Sequence, residues 1–244
     1  MKNTIHIEAT RTSTAVTGVL SLVQGLLILI PTIVLGQAIG WPGSLDDPAS
    51  VALPRLLEQA SAVRFGYAAY ALLSILFVVT MTILTRLSRG DTMARLMTFI
   101  VSFALASTVF RTIGIIRWLA PMPQLATSWA GATTDQERYA ISIAFDMLNA
   151  YGGTIGEVLG VSLFAAIALI LLCIAAFKDR LFPTWIIGFG MIAAVALLAS
   201  ASELIGIDPG AVVAVLSTTL IQFWFMAVGV WLLIRSTKQP VAVS

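Results

Sequence analysis

Residues 158–177 read VLGVSLFAAIALILLCIAAF, a run of 20 residues without a charged side chain. A helix needs about 20 apolar residues to cross the hydrocarbon core of a bilayer. Four further charge-free runs are at least as long, at 12–45, 65–85, 181–202 and 209–234. A sixth run, 96–110, has only 15 residues, so its span has to include or adjoin Arg111. The sequence therefore predicts an all-α, polytopic membrane protein with six transmembrane helices.

The composition supports the same class. The chain of 244 residues is 59% hydrophobic and 11% charged, whereas a soluble domain carries about 25% charged residues. The lipid bilayer is therefore the expected partner for most of the surface. A net charge of +2 without a basic cluster argues against nucleic acid as a partner. One histidine and one cysteine, His6 and Cys173, exclude an internal disulfide and a His/Cys metal cluster, so no metal and no cofactor are expected.

The charge-free runs and their flanks give approximate boundaries and an orientation. The predicted spans, forming one domain over residues 1–244, are approximately 12–36, 62–86, 93–117, 154–177, 183–205 and 210–235. Nine basic residues, Lys2 among them, fall on one side, and three, Arg55, Arg64 and Arg138, fall on the other. The excess of Lys and Arg on cytoplasmic loops predicts that both termini are cytoplasmic.

Proline, glycine and helix-capping residues predict a kink in the first span and the start and a break in the fourth. Pro31 lies late in the first apolar run and predicts a kink there. Thr134 and Glu137 fit a capping box, so the fourth helix should begin well before its apolar part. The glycine pair at 152–153 favours a break in that long helix.

Two arginines lie within the apolar stretch FRTIGIIRWLAPMP, residues 110–123. Arg111 is 16 residues beyond Arg95, roughly 24 Å along a helix, so it should lie just inside the outer boundary, with Arg117 near that boundary. Acidic and polar residues of the fourth and fifth spans are expected at the same level. The candidate ligand-binding or ion-pair residues are Arg111, Arg117, Asp146, Asn149, Tyr151, Glu157 and Glu203.

Small and uncharged polar residues predict how the helices contact one another. Gly152, Gly156 and Gly160 form overlapping GxxxG motifs, which indicate close helix packing. Gln24 and Gln222 lie inside the first and sixth spans, where interhelical hydrogen bonds are expected.

The residue pattern leaves three functions open. A binding or transport protein would hold a small polar or anionic molecule in an outer-leaflet pocket lined by some of the candidate residues, because ionisable groups within membranes commonly line pathways. An accessory or structural membrane protein would use the same charges only to fix helix packing. An enzyme would need Glu157 or Asp146 as acid or base, but no nucleophile–base pair is readable. The sequence therefore favours a role that is not enzymatic.

Two stretches carry a resemblance to a known family. They are RWLAPMPQLA at 117–126 and AFDMLNAYGGTIGEVLG at 144–160. They resemble the pattern RWxxxxPxLA followed by NxYxGxxxGExLG, which is typical of a bacterial multi-pass membrane family classed as a domain of unknown function. Val158 stands where a histidine is common in that family. The resemblance implies a helical protein of the bacterial inner membrane, and it implies no reaction or substrate.

Overall fold

The computed structural model describes residues 10–238, which form helices and short connections without any β-strand. The α-helices are α1 (Arg11–Leu26), α2 (Leu29–Ile39), α3 (Ala49–Glu58), α4 (Ala60–Thr85), α5 (Asp91–Leu119), α6 (Pro121–Gly131), α7 (Asp135–Gly153), α8 (Ala165–Lys178), α9 (Thr184–Ser200) and α10 (Gly210–Thr237). A π-helical segment, Thr154–Phe164, joins α7 to α8. Short 3-10 turns occupy Gly43–Asp46 and Ala201–Ile205. Lys2 and His6 lie outside the described residues.

Six helical stretches of the described chain are long and apolar enough to cross a membrane. They are Arg11–Ile39, Ala60–Thr85, Asp91–Gly131, Asp135–Lys178, Thr184–Ile205 and Val212–Thr237. The prediction of an all-helical, multi-pass membrane protein with six spanning helices is confirmed. The cytoplasmic location of the termini stays a prediction.

The first span is interrupted next to its proline. Helix α1 ends at Leu26 and α2 begins at Leu29. Pro31 has no N–H to donate to the carbonyl four residues earlier, at Leu27. The N–H of Ile30 donates to that carbonyl instead, at 3.2 Å, so the carbonyl keeps a hydrogen-bond partner.

The fourth span begins as the capping box predicts. The N–H of Glu137 donates to Thr134 Oγ1 at 3.2 Å, and the N–H of Thr134 donates to Glu137 Oε2 at 3.1 Å. The expected break at 152–153 was wrong, because the chain stays helical and changes from α to π directly after Gly153. A break in an apolar medium would leave backbone groups unsatisfied, whereas a change of helix type keeps them bonded.

The chain divides into two compact units, whose described parts are considered separately below. The first unit comprises 10–26, 75–108 and 158–238, and the second comprises 27–74 and 109–157. Helices α4 and α5 contribute residues to both units. The prediction of a single domain stays a prediction.

The first unit has an apolar core rich in small residues on α8 and α9. Trp224 of α10 is fully buried in it, and its indole N–H donates to the carbonyl of Ile186 at 3.0 Å. This bond satisfies the one polar atom of the largest core side chain, as a buried tryptophan requires.

The start of α5 is capped from outside its own helix. The carboxylate of Asp179 accepts hydrogen bonds from the N–H groups of Thr92 at 3.3 Å and Met93 at 2.7 Å. A Cβ on Gly90 would overlap the carboxylate carbon of Asp179, so only glycine leaves room for the carboxylate. A side chain 86 or more residues away thereby performs the role of an N-cap.

We expect Asp179→Ala to lower the free energy of unfolding by about 1 kcal/mol, because two N–H groups at a helix start lose their acceptor. Asp179→Asn keeps one acceptor oxygen and should lose less. Thermal denaturation of the two variants checks this order, and equal stability of Asp179→Ala and the wild type would contradict the cap.

The second unit packs α2, α3, α4, α5, α6 and α7 around buried side chains such as Leu35, Leu53 and Phe145. Its loop after α2 is held by Arg55, whose Nη1 donates to the carbonyl of Ile39 at 3.0 Å and to Asp47 at 2.9 Å. This unit contains most of the candidate site residues, and its helices set their positions.

Candidate functional site

Arg117 on α5 is the centre of the candidate site. Its side chain is buried, with the residue only 5% exposed, and its Nη2 donates to Glu157 Oε1 at 2.8 Å. Its Nε and Nη1 are buried and have no hydrogen-bond partner within residues 10–238. An arginine offers five N–H donors and always carries its charge. The guanidinium therefore retains donors directed into the protein interior.

Glu157 belongs to the π-helical segment, and its side chain remains 49% exposed. One carboxylate oxygen contacts Arg117, and about half of the Glu157 side chain is exposed. Short π-helical segments occur often at functional sites, and here such a segment carries the acidic partner. The pair thus combines a buried cation with an anion that an arriving group can reach.

Glycines make the slot in which the guanidinium lies. A Cβ on Gly152 would fall 2.6 Å from Arg117 Cδ and 2.9 Å from its Nη1. A Cβ on Gly153 would lie 3.6 Å from Nη1, which is ordinary contact. Gly152 is therefore the residue whose missing side chain leaves space for Arg117.

The backbones of α5 and the fourth span meet just beyond this slot. A Cβ on Gly114 would fall 2.5 Å from the Cα of Gly156 and 2.9 Å from the carbonyl oxygen of Gly152. Close backbone approach of this kind is the usual role of small residues in membrane helices. It brings Arg117, one helical turn beyond Gly114, against the residues that precede Glu157.

An aromatic pair lies close to the arginine. The rings of Tyr67 and Trp118 are stacked at 5.4 Å with an interplanar angle of 2°. The Tyr67 hydroxyl is buried, has no hydrogen-bond partner in the described chain, and lies within electrostatic range of both Arg117 and Glu157. The Arg117 guanidinium carbon lies 5.6 Å from the Trp118 ring centroid, within range of a cation–π interaction.

Asn149 lies one turn before Gly152 on α7, and its side chain is hydrogen-bonded to the loop that contains residues 43–46. Its Nδ2 donates to the carbonyl of Leu45 at 2.7 Å. Its Oδ1, and the buried hydroxyl of Ser44 beside Leu45, have no partner among the described residues. The second unit therefore contains several buried polar atoms that its own groups do not satisfy.

The remaining candidate residues have different environments. Arg111 is 4% exposed and lies within electrostatic range of the Tyr70 phenol. Asp146 is exposed, and Tyr151 is 70% exposed. Glu203 is exposed and belongs to the first unit, as does Gly160, whose carbonyl accepts a hydrogen bond from Ser107 at 2.7 Å.

The structure thus brings together Arg117, Glu157, Gly152 and Gly156 from the sequence-predicted set. Sequence reasoning missed Gly114 and Tyr67. Gly114 lies midway between Arg111 and Arg117 on an apolar helix, and this position could have indicated a close helix contact near the two arginines. Nothing in the sequence pattern indicates that Tyr67 lies within electrostatic range of Arg117.

We expect Gly152→Ala to displace the Arg117 guanidinium and to lower the free energy of unfolding by about 1–3 kcal/mol through overpacking. Gly153→Ala is the matched control, because its added methyl group meets only ordinary contacts and favours the helix. Thermal denaturation of the two variants tests the slot, and equal losses would contradict it.

The fold and this cluster define a polytopic helical membrane protein with a buried arginine paired to a half-exposed glutamate. Residues 16–236 match the family described as Domain of unknown function (DUF4386), and the chain belongs to that family. No curated protein and no solved structure matches the chain.

Proposed function

We propose that this protein binds or transports a small polar or anionic molecule through the cluster around Arg117. The observation that carries the proposal is the buried guanidinium, which has Nε and Nη1 without partners in residues 10–238. A buried donor without a partner costs about 1–3 kcal/mol, and more when the group is charged. Such a site gains free energy when a group with acceptor oxygens arrives.

The other polar groups favour an oxyanion as the bound group. The Tyr67 hydroxyl supplies a further donor near the guanidinium. The Tyr67–Trp118 stack provides an apolar wall for the rest of the molecule. A carboxylate or phosphate matches these donors, because arginine binds such groups through charge-assisted hydrogen bonds.

Glu157 would compete with the incoming anion. Its carboxylate accepts the hydrogen bond from Arg117 Nη2, and its negative charge repels a second anion near the guanidinium. Neutralising Glu157 should therefore tighten anion binding, whereas removing the guanidinium should abolish it. These opposite effects are the signature of a binding site built on this pair.

The test measures the apparent Tm of detergent-solubilised protein with acetate, benzoate or inorganic phosphate, each compared with sodium chloride at equal ionic strength. An anion at about ten times its Kd should raise the apparent Tm by roughly 3–6 °C. Arg117→Met should remove this rise, and Glu157→Gln should enlarge it at the same concentration. Arg64→Met, which removes an exposed arginine of the same unit, should leave it unchanged.

The accessory role remains the second candidate, because the close glycine contacts around Arg117 also fit a pair that fixes helix packing. Under that role no anion stabilises the wild type more than chloride does. An anion-induced change in apparent Tm that is equal in the wild type and in Arg117→Met would reject binding at Arg117 and favour the accessory role.

We also infer that the protein resides in a bacterial inner membrane with both termini in the cytoplasm. The nine-to-three distribution of basic residues between the two sides supports this orientation. A cytoplasm-active fluorescent reporter fused after Ser244 should fluoresce, and alkaline phosphatase fused there should stay inactive. Active phosphatase at Ser244 would overturn the orientation.

A further inference from the structure

Helix α1 has its polar side inside the first unit and its apolar side outside. Thr14, Thr17 and Ser21 are fully buried, whereas valines of the same helix are exposed. Each of these three hydroxyls donates to the carbonyl four residues earlier, at 2.8–3.0 Å. Local bonding of this kind satisfies the hydroxyl donors. Gln24, the fourth polar residue on this side, is not satisfied in this way.

Gln24 is 0% exposed, and neither its Oε1 nor its Nε2 has a hydrogen-bond partner in the described chain. Gln222 of α10 is 8% exposed, and its Oε1 has no partner there either. The interhelical hydrogen bonds expected for Gln24 and for this oxygen are therefore absent between described residues.

Gln24 and Gln222 belong to turns of α1 and α10 that meet within the first unit. A Cβ on Gly25 would fall 2.7 Å from the carbonyl oxygen of Gln222, so the backbones meet there. A second close contact follows about two turns away, where a Cβ on Gly229 would fall 2.8 Å from the carbonyl oxygen of Gly18. These contacts hold α1 and α10 in register, and they place Gly25, the residue next to Gln24, against the backbone of Gln222.

The charge and polarity of this region define what can bind. Residues 12–26 of α1 and residues 210–234 of α10 contain no charged side chain. A buried amide without a partner costs free energy in an apolar surrounding. The unmet groups are one amide donor and two amide acceptors, so an occupant has to donate as well as accept. A charged occupant would lack a counter-charge on either helix.

We propose that Gln24 and Gln222 form a binding site for a small neutral molecule that both donates and accepts hydrogen bonds. Water and a small primary amide or alcohol share this chemistry. The site is separate from the Arg117 cluster, and neither proposal depends on the other.

The test is a double-mutant cycle on apparent Tm with Gln24→Met, Gln222→Met and the double variant. Methionine preserves the length of the side chain and removes its hydrogen bonds. An occupied site predicts a fall of roughly 2–8 °C in each single variant. It also predicts a double variant that falls by less than the sum, because both residues hold one molecule. Gln37→Met, at an exposed position on α2, is the matched control and should change little.

An unoccupied site predicts the opposite result. Replacing an unsatisfied buried amide by an apolar side chain then raises the apparent Tm, and the two changes add. That result would overturn the proposal.

Added acetamide distinguishes the two sources of the ligand chemistry. A further rise in the apparent Tm of the wild type, absent in the double variant, identifies a small amide as the occupant. No rise, together with the coupled losses, identifies water.

Discussion

Gly114→Ala is expected to lower the free energy of unfolding by about 3 kcal/mol, the upper end of the range for overpacking. The added methyl carbon would fall 2.5 Å from the Cα of Gly156. The obstructing atoms belong to a helical backbone, which cannot rotate away as a flexible side chain can. For a chain of this size the loss corresponds to a fall in apparent Tm of roughly 6–12 °C.

Gly188→Ala is the control for this prediction. Gly188 lies inside α9, and a Cβ there would meet nothing within 4 Å. Alanine favours a helix over glycine by up to about 1 kcal/mol, so this variant should match or exceed the wild type. A Gly114→Ala protein as stable as Gly188→Ala would contradict the backbone contact between α5 and the fourth span.

The second large effect concerns the Arg117–Glu157 pair. We expect Glu157→Met to lower the free energy of unfolding by about 2–3 kcal/mol, since it leaves the buried guanidinium without its carboxylate. Losing one partner of a fully buried pair costs about 3–5 kcal/mol, and the half-exposed carboxylate reduces that figure. Arg117→Met should cost less, because Glu157 can then be hydrated. The double variant should recover most of the loss.

Urea or thermal denaturation of the two singles and the double gives the coupling energy, which should exceed about 1 kcal/mol. The pair of Arg55 and Asp47, both partly exposed and with an N–O distance of 2.9 Å, is the control and should couple by less than about 1 kcal/mol. Additive losses at Arg117 and Glu157 would show that the pair does not act as a unit.

The number of spanning helices could be predicted from the sequence because lipid imposes one dominant constraint. A helix must satisfy its backbone internally and present about 20 apolar residues. The start of α7 could also be predicted, since the hydrogen bonds of the Thr134 and Glu137 side chains reach groups no more than four residues away. Features that depend on a few neighbouring residues are therefore predictable here.

The contacts of the candidate site could not be predicted from the sequence in the same way, because they depend on how each helix is rotated about its axis. Asp146, Asn149 and Glu157 fall on one face only if the α-helical period continues to Glu157. The π-helical segment that begins at Thr154 has a wider turn and shifts the following side chains around the axis. Sequence spacing alone therefore could not show which acidic residue pairs with Arg111 or Arg117. It also could not show that the backbones of Gly114 and Gly156 are in contact.

The central claim is that the buried guanidinium of Arg117 receives an acceptor group from a bound molecule. Its most direct test is NMR of protein labelled with ¹⁵N-arginine, in which the Nε–H resonance of Arg117 is assigned by its loss in Arg117→Met. We predict that benzoate shifts this resonance in a saturable manner and leaves the Nε–H resonance of Arg64 unchanged. An Arg117 resonance that does not move with benzoate, acetate or inorganic phosphate would contradict the claim.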